Sequence, residues 1–183
     1  MGTGNAVLGW HQNEAGDVRA VTEDAVVGSA VPLPGDNGAP VEVRPVIALL
    51  LSDPLAPGSG PGVATRAIGA AFVAAHLSGA GRDRFVLADC AIGLPLESPI
   101  ASWSSAGAEH TSPPSAFGDL IGRLIALADA RGGLAAGQLA AFGRVAPGTG
   151  LRTAAGTVAL WGPGSSALFV TLQPAESSVG SPR

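Results

Sequence analysis

The stretch VRPVIALLLSDPL, residues 43–55, decides how the fold is read. Val46 to Leu51 form a continuous apolar run of the length of a buried strand. Ser52, Asp53 and Pro54 close it with turn chemistry. Its entry is odd. A strand buried on both faces is rarely entered through an arginine and a proline, because proline has no N–H to give a ladder. Arg44 and Pro45 nevertheless stand there, and no acid or histidine follows them along the run.

Working outward, residues 18–43 carry short β-branched runs cut by Gly and Pro, which predict strands and loops. Residues 1–16 show no clear periodicity. Beyond the central run, the alanine content and length of VATRAIGAAFVAAHL (63–77) predict a helix. RFVLAD (84–89) predicts a strand. The clearest helix is SAFGDLIGRLIALADARGG (115–133), where Phe117, Leu120, Ile121, Leu124, Ile125 and Ala128 fall on one face. Ser115 is its expected N-cap and Gly132 its expected stop. The last third predicts three or four short strands, with TVALW (157–161) and ALFVTL (167–172) forming a hairpin through GPGSS. Together these give an α+β domain that is mostly β, a single unit over 1–173, followed by a disordered polar tail at 174–183.

Composition excludes several functions. The 183 residues are 46% apolar and 13% charged, which is a folding chain and not a disordered one. The net charge is −4, lysine is absent and the arginines are scattered singly, so no basic cluster awaits nucleic acid. One cysteine, Cys90, rules out an internal disulfide and fits a reducing compartment. No stretch reaches the roughly 18–20 apolar residues of a membrane span, and the first residues do not read as a signal peptide. A cytoplasmic protein with neither nucleic-acid nor membrane partner is expected.

Individual motifs are weak. GSGPG and GPGSS lack the Lys-Ser/Thr pair of a phosphate loop and read as turns. No G-x-S-x-G elbow is present. His11, His76 and His110 lack zinc-site spacing. By local evidence Cys90 is a buried thiol, and the adjacent acids Glu23 and Asp24 a strand end or solvated turn.

The succession of segments carries more. LGWHQNEA resembles a G-x-K segment, VRAVTEDAVVGSAVPLP a G-V-L-x-D-D-M strand with its Gly turn, and VRPVIALLLSDPL a V-E-x-E strand. RFVLADCAIGLPL is similar to an A-D-N-A-[SG] segment, and TAAGTVALWGPGSSALFVTL to a closing hairpin. In this order, over roughly residues 7–172, the chain resembles the 2-oxo-acid hydratases and decarboxylases related to fumarylacetoacetate hydrolase. The resemblance implies a mixed β-roll with one or two helices packed on the sheet. It also implies frequent homo-oligomers. In that family the two glutamates of V-E-x-E and a third after the next helix hold Mg²⁺ or Mn²⁺, since hard cations take oxygen ligands. Here those two positions are Arg44 and Val46, and the third falls near His76 or Leu77. The family lysine is replaced by His11, and the family Asn by Cys90. Glu23 and Asp24 keep their type.

These departures imply no metal and no other cofactor. The expected function is acid–base chemistry on a small conjugated carbonyl compound, such as a polyketide-like molecule, by cyclisation, isomerisation or hydration. His11, Glu23, Asp24 and Arg44 are the catalytic candidates; Trp10, His76 and Cys90 the substrate-binding ones. His11 serves as acid or base, Glu23 or Asp24 assists it, and Arg44 holds an enolate or carboxylate. Two rivals stand beside this: an ordinary Mg²⁺- or Mn²⁺-dependent hydratase or decarboxylase, and a non-catalytic partner subunit. His11, Glu23, Asp24, Arg44 and His76 are expected to line one pocket at the open end of the roll.

Overall fold

A computed structural model describes residues 6–13, 15–28, 33–34, 41–79, 82–89, 91, 102–105, 108–111, 117–143, 151–153, 156–161 and 167–173. In chain order the elements are β1 (Val7–Gln12), β2 (Val18–Thr22), a 3₁₀ turn (Glu23–Ala25), β3 (Val26–Gly28), β4 (Leu33–Pro34) and β5 (Val41–Leu51). Then come α1 (Pro61–Ala67), β6 (Ile68–Gly79), β7 (Arg82–Leu87), β8 (Ser102–Ser105), β9 (Ala108–Thr111) and α2 (Phe117–Arg131). The last four are β10 (Leu139–Gly143), β11 (Leu151–Thr153), β12 (Gly156–Trp161) and β13 (Ala167–Gln173). The larger sheet runs β2-β1-β10-β5-β6-β7-β3, with β11 also on β5; the smaller runs β4-β13-β12-β8-β9. Ser115, Cys90 and the tail at 174–183 lie outside the described residues.

The central run is the spine of the larger sheet. β5 pairs with β6 on one side, and with β11 and then β10 on the other. Its odd-numbered residues, Val43, Ile47, Leu49 and Leu51, enter the main core with Leu124, Leu127 and Leu168. Val46 and Ala48 enter a smaller cluster on the opposite face with Val21, Ala74 and Phe85. Both faces are covered, which is why the run is apolar without alternation.

Register explains Pro45. The Leu51 N–H donates to Gln138, on the β10 side. N–H directions alternate along a strand, so the nitrogen of Pro45 faces that side too. There β11 stops at Leu151 opposite Val43, and β10 ends at Gly143 opposite Val46. The proline thus stands between two partners, where a missing donor costs least.

The reading of 63–77 as one helix is corrected. Only Pro61–Ala67 is helical, and the chain then becomes the twelve-residue strand β6. Alanine's helix propensity is a few tenths of a kcal/mol per residue, whereas β6 gains a partner along each edge, β5 and β7. Gly69 falls at an irregularity of register, and a Cβ there would press on the Ser52 side chain. By contrast α2 covers Phe117–Arg131, buries Leu120, Ile121, Leu124, Leu127 and Ala128, and is stopped by Gly132 at φ +71°. β12 and β13 form the expected antiparallel hairpin.

β1 is the strand that residues 1–16 did not announce. It lies parallel to β10 and antiparallel to β2. Its buried face is Gly9 and His11, which carries no apolar signal. Gly9 permits close pairing, since an added Cβ would overlap the Leu139 backbone. Gly9→Ala is expected to lower stability by about 2 kcal/mol or more. Gly122→Ala, on the exposed face of α2 with open space around it, is expected to raise it by roughly 0.5–1 kcal/mol. Urea denaturation of the two variants checks both signs.

Candidate active site

Two cross-strand rows build the site. Arg44, His76 and Phe85 stand opposite one another on β5, β6 and β7. Ala141, His11 and Arg19 do so on β10, β1 and β2. Directly opposed residues share a face, and the sheet curls so that the two rows meet. The His11 ring lies 4.5 Å from that of His76, tilted by 49°, and meets Phe85 edge-on at 5.0 Å. His76 stacks on Phe85 at 4.8 Å. Arg19 Nη1 donates to Asp83 Oδ2 at 3.0 Å, joining β2 to β7 across the curl.

A cavity of about 220 Å³ opens over this meeting point, lined by His11, Asn13, Arg19, Arg44, Val46, His76, Ser78, Asp83 and Gly143. Arg44 Nη2 donates to Glu42 Oε1 at 2.9 Å, two residues back on the same strand face. The Asp83 Oδ1 oxygen is 3.4 Å from His76 Nε2, within ion-pair range but without hydrogen-bond geometry. The floor is held from behind by Arg123 of α2. Its guanidinium donates to the carbonyls of Gln12, Asn13 and Gly143, and its Nε to Gln12 Oε1.

Three sequence candidates, His11, Arg44 and His76, therefore come together at the cavity. Glu23 and Asp24 do not line it. They form the exposed 3₁₀ turn between β2 and β3, where Asp24 accepts from Thr22 Oγ1 at 2.7 Å and its carbonyl accepts from Arg84. Two acids at the end of a strand favour such a turn over a buried wall. Trp10 does not line it either. As the neighbour of His11 on a strand it faces the other way, packing on the main core under the guanidinium of Arg131, 3.9 Å from its ring. Cys90 lies outside the described residues. Asp83 and Arg19 were not singled out from the sequence. The available signal was alternation: Asp83 and Phe85 are two apart, on one face of β7.

Burial governs the charge of both imidazoles. His11 is 3% exposed and His76 8%. His11 is pushed down to about 3, first by desolvation, then by His76, with Asp83 opposing and Arg123 and Arg19 assisting. His76 is also lowered, by desolvation first, against the pull of Asp83 and with help from Arg44 and Arg19. Both are neutral at pH 7. His11 Nε2 is buried with no hydrogen-bond partner.

No family model matches the chain, and no curated protein matches it. Solved structures do. 4-Oxalocrotonate decarboxylase from Pseudomonas putida G7, complexed with magnesium and adipate, superposes with a TM-score of 0.71 at 15% identity, over 93% of this chain and 79% of that one. 2-Hydroxyhepta-2,4-diene-1,7-dioate isomerase from Mycobacterium marinum gives 0.72 at 15%, over 94% and 78%. A protein assigned to the fumarylacetoacetate hydrolase family, from Yersinia pestis CO92, gives 0.64 at 14%, over 92% of each chain. The chain has the fold of the fumarylacetoacetate hydrolase-related proteins, as its succession of segments implied.

The residues present do not fit that family's divalent cation. Among the described residues, no three of His, Cys, Asp and Glu are grouped to hold a metal ion. Asp83 is the one carboxylate lining the cavity among them, and it is engaged by Arg19. Arg44 and Val46 offer a guanidinium and a hydrocarbon where hard oxygen ligands are needed.

The lowered histidines tie stability to pH. In the unfolded chain His11 takes up its proton near pH 6.5, but in the folded protein only near 3. The neutral form is the folded one, so its contribution is complete above about pH 6.5 and is lost as pH falls toward 3. The loss amounts to a few kcal/mol. His11→Leu is expected to flatten this part of the decline relative to wild type, measured by urea unfolding at pH 7, 5.5 and 4.5.

Proposed function

We propose that this protein is a small-molecule enzyme of the hydratase, decarboxylase and isomerase kind whose proton transfers run without a divalent cation. The observation that supports it is the buried pair His11 and His76 beneath a cavity whose wall carries Arg44. The substrate is a conjugated carbonyl compound bearing a carboxylate. Arg44 binds the carboxylate or the developing enolate oxygen as fixed positive charge. A neutral imidazole takes a proton from carbon, and the electron pair of that C–H bond moves into the carbonyl to give the enolate. Return of the proton at another carbon isomerises the substrate. In hydration or cyclisation the imidazole instead takes the proton of water or of an internal nucleophile as it adds to the β carbon of the neutral conjugated carbonyl, and the enolate so formed takes that proton back at its α carbon.

Electrostatics favours an anionic ligand. Arg44 and Arg19 lower His76, and an anion bound between them counters that effect, raising the imidazole toward the range in which it transfers protons at neutral pH. The free site is held neutral and ready to accept.

A second reading has a specific observation behind it. An imidazole held near 3 is a weak base, which suits a binding or partner subunit that recognises such an anion without turning it over. Hydrogen–deuterium exchange in D₂O decides between them. Conjugated 2-oxo acids are incubated with the protein and their carbon-bound protons followed by NMR, with and without chelator. Exchange that survives chelator and falls about 100-fold in His76→Gln and Arg44→Gln is expected. Binding without exchange leaves the partner subunit; exchange abolished by chelator leaves the ordinary metal-dependent enzyme.

A further inference from the structure

The two imidazoles are not equivalent. We propose that Asp83 is a positioning residue that makes His76, and not His11, the proton-carrying member of the pair, with His11 remaining a neutral hydrogen-bonding partner. This rests on the acid–base reading of the same site and assigns roles within it.

The geometry is one-sided. Asp83 precedes Phe85 by two residues on β7, so it lies diagonally across from His76 and on its face. Its carboxylate is divided between two duties: Oδ2 accepts from Arg19 at 3.0 Å, and Oδ1 faces His76 Nε2 at 3.4 Å. Arg19 reaches it from β2, so the carboxylate plane is fixed from outside the strand that bears it. Phe85 fixes the ring beneath, stacked at 19°. Thus His76 is held with its Nε2 edge toward an anion. The other groups facing His76 are Arg44 from β5, His11 from β1 and Arg19 from β2. Among the described residues, no carboxylate is in ion-pair contact with His11. Its ring meets Phe85 edge-on, and the charged groups that act on it besides Asp83 are the cations Arg19 and Arg123. The Nε2 of each imidazole is buried without a hydrogen bond, so it is the ion-pair contact that tells them apart.

Two cationic rings 4.5 Å apart and out of water repel strongly, so the pair carries at most one proton at a time. The carboxylate decides where it resides. A proton on His76 has Asp83 to balance it; on His11 it is an isolated buried charge. This departs from the sequence expectation, which gave the acid–base role to His11. With its neutral ring beside the substrate, His11 instead offers an N–H to a carbonyl oxygen or a lone pair to water.

Long-range ¹H–¹⁵N correlation on the uniformly labelled full chain tests the assignment without substrate. At pH 7.5 the wild-type His76 is expected as the Nε2–H tautomer, its proton toward Asp83. On titration to pH 4, His76 is expected to protonate before His11. Asp83→Asn is expected to lower the His76 midpoint by about one unit or more, a ten-fold loss in proton affinity, and Asp83→Glu to restore part of it. A wild-type His76 carrying its proton on Nδ1 overturns the proposal, and this readout stands even where Asp83→Asn fails to fold. So does a His11 that titrates first, or an Asp83→Asn midpoint equal to wild type. Since none of these measurements uses turnover, loss of the dyad and absence of enzymatic exchange are separate results.

Discussion

The pairing of β5 with β6 is the constraint on which the rest of the molecule depends. It runs from Glu42 opposite Ser78 to Leu51 opposite Ile68, and it sets which side chains share a face across the middle of the larger sheet. A slip of one residue would send Arg44 and Val46 into the main core and Ile47 and Leu49 into the cavity. The aliphatic side chains Ile47, Leu49, Val73 and Leu77 therefore secure the register, because each is buried among α2 and the second sheet. Placement of Arg44 opposite His76 follows from hydrocarbon packing on the other face.

The curl of the sheet does what a linear sequence does not display. Along the path from β2 to β7 lie four intervening strands, yet Arg19 and Asp83 are in contact and His11 reaches Phe85. Small residues make room for this on the concave face. Ala48, Ala74 and Ala141 occupy the positions beneath the histidines' neighbours in a compact cluster, with Phe85 as its largest member. Bulkier side chains there would flatten the curl and part the two rows. One of the alanines that suggested helix in 63–77, Ala74, thus serves a strand: it helps keep the inner layer thin enough for two imidazoles to touch.

Much of the fold was legible and less of the site. β5, α2 and the β12–β13 hairpin are each decided by local signals: an apolar run, a helical face ended by glycine, and alternating residues around Gly and Pro. β1 was not, because Gly9 and His11 give it no hydrophobic period. β6 was misread because propensity is local and edge-pairing is not. At the site, the reading of Arg44 and Val46 at the acidic positions and of His11 at the lysine position named residues that the fold brings to one cavity. Glu23 and Asp24 pointed away from it, since their acid type says nothing of the turn that carries them outward. Asp83 passed unnoticed because its importance depends on which residue lies diagonally across from it on β6.

The arginine at position 44 and the absence of an E-x-E belong to one physical change. A divalent cation is strong positive charge that needs several carboxylates to hold it, and those carboxylates favour protonated imidazoles nearby. A guanidinium is weaker, permanent and tied to the chain; here Glu42, on the same strand, helps to hold it. Burial first, and then the facing cations, keep the two imidazoles neutral. Neutral imidazoles in turn tolerate burial that imidazolium would resist. Arg44, the two buried histidines and the alanine-lined inner face are thus mutually consistent. An acid at 44 in place of the arginine would set a carboxylate opposite His76 and favour a buried imidazolium there. The electrostatics of this site must change as a set.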